Sequence, residues 1–152
     1  MTIGISKEKP NALVLFGDRY DMFVGISAIP FNIPIIHLYG GAVTEGAIDE
    51  QIRHSITKMS HAHFVANKIY AKRVRQLGEN PKNVFCVGGL GVDNIRKLKL
   101  LSKTQLENEL GIKFNVKNLL ITFHPVTLES NTSKKHMNEL IEALDFLDNT
   151  NF

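Results

Sequence analysis

The chain has 152 residues, of which 43% are hydrophobic and 22% are charged, and this balance is close to that of an average globular domain. It excludes a disordered tail, a collagen-like repeat and a disulfide-rich mini-protein. The net charge is only +3, with the basic residues spread along the chain, and such a weak excess does not indicate nucleic-acid binding.

No segment approaches the roughly 18 apolar residues of a membrane span, and the amino terminus lacks the apolar core of a signal peptide. These features predict a cytoplasmic protein without a membrane partner. The single cysteine, Cys86, lies in an apolar run, where a buried, inert thiol is the expected state.

Short apolar runs alternate with helical patterns, and this order predicts an α/β fold with a parallel sheet. The helix predicted over 47–59 carries an apolar stripe of Ile48, Ile52, Ile56 and Met59. The predicted strands are 12–16, 34–37, 63–66 and 84–87, and the predicted helices among them are 19–28, 47–59 and 68–77.

The pattern changes after the fourth strand. Two short basic helices are predicted over 95–101 and 103–110, with Ser102 as a candidate N-cap between them. A strand over 118–123 and a final helix follow, so a domain boundary is expected near 100–115. The final helix carries an apolar face of Met137, Leu140, Ile141, Leu144 and Leu147.

A doubly wound sheet normally starts with a strand and a phosphate-binding turn close to its amino terminus. This chain instead opens with a polar decapeptide and continues for only one helix beyond the strand at 118–123. We therefore expect the sequence to be part of a longer protein.

Polar residues follow the predicted strands, at the edge where open α/β sheets bind ligands. Asp18 comes just after the first strand, where a helix N-cap and a catalytic carboxylate are equally compatible with its position. After the second strand, Gly40 and Gly41 would let backbone amides approach a ligand. Asp49 and Arg53 are four residues apart on the next helix, and this spacing favours a surface ion pair over a carboxylate oriented at a cleft.

Three further groups are weaker candidates. His54, His61 and His63 lack a nearby carboxylate or cysteine at ligand spacing, so structural histidines are favoured over a metal site. The turn from Gly88 to Gly91 could hold a phosphate on its amides, but it does not complete the G-x-G-x-x-G pattern. His124 precedes a proline at a strand end and is either an acid/base or phosphate ligand or an ordinary loop residue.

Four segments, taken in order, resemble the hydrolysing UDP-N-acetylglucosamine 2-epimerases of sialic-acid and related nonulosonic-acid pathways. They are GDRYD, HLYGGAVTEGAIDEQIRHSITKMSHAHF, VGGLGVDN and TFHPVT, and they span Asn11 to Thr127. The resemblance implies a two-domain fold of the glycosyltransferase-B type, in which a UDP-sugar lies between two Rossmann-like domains. This chain would be truncated at both ends.

In that family, UDP leaves by anti elimination across C1–C2 of the sugar, and water then adds to the glycal with inversion at C2. The product is N-acetylmannosamine, or its analogue when a diacetamido 6-deoxy sugar is the substrate. The resemblance implies no cofactor and no metal. It also implies a homo-oligomer for the full-length protein.

The resemblance further assigns roles to individual residues. Asp18 and Asp49 would be the acid/base carboxylates, Arg53 would orient Asp49, and His124 would face the diphosphate from the second domain. His37 would line the sugar pocket. The implied substrate-binding residues are Arg19, His37, Gly40, Gly41, Arg53, Gly88 and Gly91.

Two departures from the family pattern accompany this assignment. Tyr39 and Ala42 stand where relatives often carry an acid, so a third carboxylate is in doubt. Residues 1–100 would be the C-terminal portion of the first Rossmann-like domain, 101–115 a linker, and 116–152 the start of the second domain. With about half an enzyme present, we expect the isolated chain to lack epimerase activity and to fold poorly or self-associate, because its sheet edges have no partners.

Two alternatives stay open from the sequence. One is a related sugar-nucleotide enzyme of the same fold, such as a non-hydrolysing UDP-sugar epimerase, since fold does not fix function. The other is an inactive remnant or binding module.

Overall fold

The computed structural model describes residues 2–126, 128–129 and 131–152. It divides into two compact units, Met1–Arg96 and Lys97–Phe152. The segment 101–115 lies inside the second unit, and its role as a linker stays a prediction. Thr127, the last residue of the fourth family-like segment, lies outside the described residues.

The first unit is built on a four-stranded parallel sheet in the order β1-β2-β3-β4. Each strand lies within one residue of its predicted bounds, which confirms the expected parallel α/β architecture. The strands are β1 (Leu13–Phe16), β2 (Ile35–Leu38), β3 (Ala62–Val65) and β4 (Val84–Cys86).

The bounds of the helices differ more from the predicted bounds than those of the strands do. Four lie in the first unit or begin there: α1 (Thr2–Glu8), α2 (Asp49–Met59), α3 (Lys68–Gln76) and α4 (Leu90–Lys97). The second unit holds α5 (Lys103–Leu110), α6 (Ser133–Asp145) and a two-residue parallel pair, β5 (Lys117–Asn118) and β6 (Thr150–Asn151). Two 3-10 helices, Tyr20–Phe31 and Pro81–Asn83, complete the description.

The segment predicted as an α-helix over 19–28 is a 3-10 helix that runs through Pro30 to Phe31. Gly25 and Pro30 both weaken a regular α-helix. The segment closes at Asn32, whose backbone is left-handed and whose N–H bonds to the carbonyls of Ala28 and Ile29. The prediction of an α-helix here is therefore wrong.

Three other expectations about local structure are also wrong. α1 occupies the opening segment, for which no helix was predicted, and α4 starts at Leu90 rather than at residue 95. The strand expected over 118–123 is reduced to Lys117–Asn118, and Leu120 beyond it is 99% exposed. An extended segment needs a hydrogen-bonded neighbour to become a strand, and β6 supplies only two residues of pairing.

One face of the four-stranded sheet carries the core. Leu15, His37, His63 and Val84 lie in one register row across the strands, and all four are buried. Two apolar clusters extend this face. The first comprises Leu15, Ala28, Ile33, Ile35 and Ile56, and the second comprises Val65, Ala71, Val74 and Val84.

The opposite face of the sheet is apolar but open. Val14, Phe16 and Phe85 point to this side and are between 44% and 55% exposed, although parallel sheets usually have both faces covered.

Cys86 at the end of β4 is exposed as well, so the expected buried thiol is wrong. Its strand lies at the edge of the described sheet.

The apolar stripes of two helices are only partly buried. In α2, Ile56 is fully buried, whereas Ile48 just before the helix is 46% exposed. No described residue of the second unit is buried, and Met137 and Ile141 of α6 are exposed. Among the residues that the structure describes, no helix is long and apolar enough to cross a membrane.

Gly41 offers a direct test of the packing beneath the sheet edge. Its φ is +83°, and a Cβ built there would lie 2.5 Å from the Tyr70 carbonyl oxygen. We expect Gly41→Ala to lower the free energy of unfolding by at least about 2 kcal/mol, because the side chain adds backbone strain and a clash. Urea denaturation followed by circular dichroism measures this loss.

Gly4→Ala is the matched control, because Gly4 lies in α1 with nothing within 4 Å of a built Cβ. This variant should gain about 0.5–1 kcal/mol from the reduced entropy of the unfolded chain. Equal effects from the two substitutions would contradict the packing at Gly41.

Candidate active site

The candidate site lies at the carboxyl end of the sheet, where β1 passes into its following turn. Gly17 has a φ of +80°, and its N–H bonds to the Leu38 carbonyl at 3.0 Å. This turn places Asp18 just beyond the strand, with its side chain 28% exposed. Asp49 begins α2 and is also partly exposed.

Asp18 is held by Arg53 through one of its two oxygens. The Arg53 Nε donates to Asp18 Oδ2 at 2.7 Å, and Nη2 donates to the same oxygen. Arg53 is only 3% exposed. The Asp18 side chain keeps 28% of its surface exposed, so a bound molecule can reach it.

The remaining donors of Arg53 fix the loop that leads into α2. Its Nη1 donates to the Ala42 carbonyl at 2.9 Å, and its Nη2 also donates to Thr44 Oγ1 at 3.0 Å. One guanidinium therefore ties together the end of β1, the loop and the helix. Arginine presents these donors in a rigid planar arrangement, which lysine does not reproduce.

The expected partnership of Arg53 with Asp49 is corrected by this geometry. Helical spacing puts the two residues on one face of α2, but the Arg53 donors go to Asp18 and the preceding loop. The favoured surface ion pair is also wrong, because Arg53, Ile56 and Thr57 form the buried face of the helix. The helical pattern shows which residues share a face but not which tertiary partner they meet.

His37 does not line a pocket, so its implied contact with a sugar is corrected. It points into the helix-covered face of the sheet, is 0% exposed, and uses both ring nitrogens in protein contacts. Nε2 is 2.9 Å from the Gly17 carbonyl oxygen, and Nδ1 is 3.2 Å from Thr57 Oγ1. Burial lowers the pKa of His37 to about 4, against the smaller opposing effect of its bond to Gly17.

Gly40 and Gly41 are also buried against protein rather than open to a ligand. A Cβ on Gly40 would lie 2.9 Å from His37 Nδ1 and 3.1 Å from Thr57 Oγ1. Gly41 packs against Tyr70, and its carbonyl accepts from Arg73 Nη1. Close packing therefore explains both glycines, and their expected contact with substrate is corrected.

The turn after β4 has a different character. Gly88 has a φ of +89°, and a Cβ built there would have nothing within 4 Å. A Cβ built on Gly91 would also have nothing within 4 Å. The Leu90 N–H donates to the hydroxyl of Tyr39, which links this turn to β2. A cavity of about 290 Å³ lies here, lined by Leu38, Tyr39, Phe64, Val87, Gly88, Leu90 and Asp93.

Two other predicted site residues are exposed. Arg19 forms an exposed ion pair with Asp21 at 3.4 Å. His124 lies in the second unit and is exposed. Both side chains are accessible to a ligand.

The histidines considered for a metal have protein partners. His61 Nδ1 accepts from the Ile35 N–H at 3.2 Å, and His63 Nε2 lies 3.2 Å from Glu79 Oε2. Burial lowers the pKa of His63, while the neighbouring Glu79 opposes this shift. Within the described residues, no three His, Cys, Asp or Glu side chains come together as metal ligands.

Sequence reasoning missed the residue that joins His37 to α2. Thr57 is fully buried, and its hydroxyl also lies 3.0 Å from the Arg53 carbonyl oxygen. The one available signal was its position, four residues after Arg53 on the same helix.

The parallel sheet with its helices is a Rossmann-like α/β fold of the glycosyltransferase-B type. A family model described as UDP-N-acetylglucosamine 2-epimerase matches residues 3–152, and the chain belongs to that family. Over 142 residues it is 46% identical to the GDP/UDP-N,N'-diacetylbacillosamine 2-epimerase (hydrolyzing) of Campylobacter jejuni, covering 93% of this chain and 37% of the relative.

A second relative is the polysialic acid biosynthesis protein P7 of Escherichia coli. It is 43% identical over 141 residues, covering 92% of this chain and 36% of the relative. The chain therefore spans little more than a third of the length of the curated relatives it matches.

A solved structure supports the fold. The Neisseria meningitidis UDP-GlcNAc 2-epimerase bound to UDP-GlcNAc superposes with a TM-score of 0.76 at 23% identity. The match covers 95% of this chain and 42% of that one. The expected Rossmann-like α/β fold of the glycosyltransferase-B type is confirmed.

The buried ion pair generates a prediction about stability. We expect Arg53→Leu to lower the free energy of unfolding by about 3 kcal/mol, because Asp18 and the carbonyl of Ala42 lose their buried partner. Arg19→Leu is the matched control, since its ion pair with Asp21 has side chains 74% and 45% exposed. It should cost less than about 1 kcal/mol, and equal losses in urea denaturation would contradict the proposed importance of Arg53.

The buried, neutral His37 generates a prediction about pH. Its folded pKa of about 4 lies below the ordinary value of 6.5, so between these two values the unfolded chain binds the extra proton. Stability should therefore fall as the pH decreases from 6.5 towards 4, by about 3 kcal/mol from this group alone.

His37→Gln isolates this contribution, because glutamine keeps a donor near the Gly17 carbonyl but does not titrate. Urea denaturation at pH 7, 5.5 and 4.5 should show a shallower pH dependence for His37→Gln than for the unsubstituted chain. Parallel curves would show that His37 titrates normally in the folded protein.

Proposed function

We propose that this chain carries the acid/base half of a hydrolysing 2-epimerase. The reaction converts UDP-N-acetylglucosamine, or a diacetamido 6-deoxy analogue, to UDP and N-acetylmannosamine or its analogue. The observation that carries the proposal is the Asp18 carboxylate, which Arg53 fixes through Oδ2 and whose side chain is 28% exposed at the sheet edge. The chain would act on a UDP-sugar and would need no cofactor.

The chemistry explains why two carboxylates are required. Elimination of UDP needs a base for the weakly acidic proton on C2 and stabilisation of the departing diphosphate. Water addition to the glycal then needs a base that takes a proton from the water attacking C1 and an acid that delivers a proton to C2, on the face opposite to the one from which the first proton left. Asp18 and Asp49 would share these proton transfers, because both lie where the sheet meets the start of α2.

The leaving group and the rest of the substrate would be held by other residues. His124 would face the diphosphate, Arg19 would bind the sugar nucleotide, and the amides at Gly88 and Gly91 would contact it. Gly88 supports this role because it lines the cavity at the end of β4. Arg53 would act on substrate only through Asp18.

The names of the relatives bear on the sugar. The Campylobacter relative is named for diacetylbacillosamine, which supports the diacetamido 6-deoxy sugar as a substrate. Tyr39 and Ala42 leave the loop after β2 without an acid at the positions noted above, so the two aspartates would carry the proton transfers. Cytoplasmic location and homo-oligomerisation of the whole protein are part of the same proposal.

A chimera tests the proposal. In it, this chain replaces the matching 142-residue segment of the Campylobacter relative, and the products from both UDP-sugars are identified. We expect UDP and a free 2-epimerised amino sugar from the parent chimera, and a loss of turnover of at least about 100-fold in Asp18→Asn and Asp49→Asn. Asp145→Asn is the control, since Asp145 is an exposed aspartate at the end of α6, to which the proposal gives no role.

Other outcomes would favour other functions. Epimerised sugar that stays attached to UDP would indicate a non-hydrolysing epimerase, and binding of a UDP-sugar without product would indicate a binding module. The isolated 152-residue chain should release no UDP. Turnover by the isolated chain would contradict the dependence on further protein segments.

A further inference from the structure

We propose that His37 is a positioning residue, whose neutral ring fixes both partners of the Asp18–Arg53 pair from beneath the sheet edge. This inference rests on the proposed function, because it assigns to His37 the control of a carboxylate that acts on substrate. His37 itself touches no substrate, since it is 0% exposed.

The first contact of His37 controls the peptide that precedes Asp18. Its Nε2 lies 2.9 Å from the Gly17 carbonyl oxygen, which can only accept a hydrogen bond. The Nε2 atom must therefore carry the proton and donate. Because this carbonyl belongs to the peptide between Gly17 and Asp18, the bond restricts the direction in which the Asp18 side chain leaves the backbone.

The second contact controls the helix that carries Arg53. With the proton on Nε2, Nδ1 of a neutral ring is an acceptor, and the group facing it is Thr57 Oγ1 at 3.2 Å. The same hydroxyl lies 3.0 Å from the carbonyl oxygen of Arg53, one turn earlier in α2. The hydroxyl carries one proton, so it donates either to Nδ1 or to this carbonyl; when the proton points to Nδ1, it links the ring to α2, the helix whose Arg53 side chain holds Asp18.

Packing prevents the ring from leaving this position. Gly40 lies so close to the ring that a Cβ built on Gly40 would be 2.9 Å from His37 Nδ1. The charged or titratable groups around the ring are His63 on the neighbouring strand, Asp18 and Arg53. His63 and Arg53 disfavour a positive charge on His37, whereas Asp18 favours one.

A positioning role has a defined kinetic consequence. A displacement of about 1 Å at a catalytic group can lower turnover by about 100-fold. Loss of the His37 contacts should therefore lower kcat and leave substrate binding largely intact. A residue that served only stability would instead change the folded fraction without this split between kcat and KM.

The tautomer is tested by long-range proton–nitrogen NMR of the chimera described above, labelled with nitrogen-15 at histidine. The His37 signals, assigned by their absence in His37→Gln, should show a protonated Nε2 and an unprotonated Nδ1 between pH 8 and 5.5. Thr57→Val should shift the Nδ1 signal and Thr57→Ser should restore it. A proton on Nδ1 at pH 7, or no response to Thr57→Val, would overturn the proposal.

The kinetic consequence is tested in the chimera described above. We expect His37→Gln and Thr57→Val to lower kcat by about 10- to 100-fold with KM changed by less than about threefold. Thr57→Ser should recover most of the loss, and the shape of the pH–rate profile should not change. His54→Gln is the control, because His54 contacts Glu50 on the outer part of α2.

The outcomes separate the two proposals. If the parent chimera makes no product, the proposed function fails, while the tautomer measurement on the labelled chimera still tests His37. If the parent turns over but His37→Gln and Thr57→Val keep the parental kcat, the positioning role is wrong. Melting temperatures recorded for each variant distinguish loss of kcat from loss of folded protein.

Discussion

The buried Arg53–Asp18 pair is the interaction on which the geometry of the site depends. Burying a guanidinium is costly, and such pairs seldom add net stability. Here the cost is offset because Arg53 also donates to Ala42 and Thr44, so each part of the charge finds an acceptor. The pair fixes positions instead of adding stability. Through Arg53, the end of β1, the loop before α2 and α2 itself are held in place relative to Asp18.

The residues packed beneath this pair explain why two glycines follow β2. Gly40 leaves just enough room for the His37 ring, and Gly41 for the backbone at Tyr70. A glycine pair after a strand suggests a ligand-binding loop when only the sequence is available. The contacts show instead that the backbone has come close to other parts of the protein, whereas the turn at Gly88 borders an open cavity.

The strands and the position of Asp18 just after β1 were predictable, because apolar runs mark buried strands. The role of Arg53 was not predictable, since its partner lies 35 residues earlier and helical spacing shows only a shared face. The exposure of Cys86 and of Ile141 in α6 was missed for a related reason. Apolar character predicts burial only where another layer covers it, and the sequence does not specify that layer.

The contacts of Asp18, Arg53, His37 and Thr57 all lie within the first unit, where the helices bury one face of the sheet. His124 lies in the second unit, none of whose described residues is buried. Contacts within the first unit therefore fix the positions of Asp18 and Arg53 relative to each other. If the function is as proposed, the carboxylate for proton transfer is positioned by contacts within the first unit. The residue that would face the leaving diphosphate, His124, belongs to the second unit.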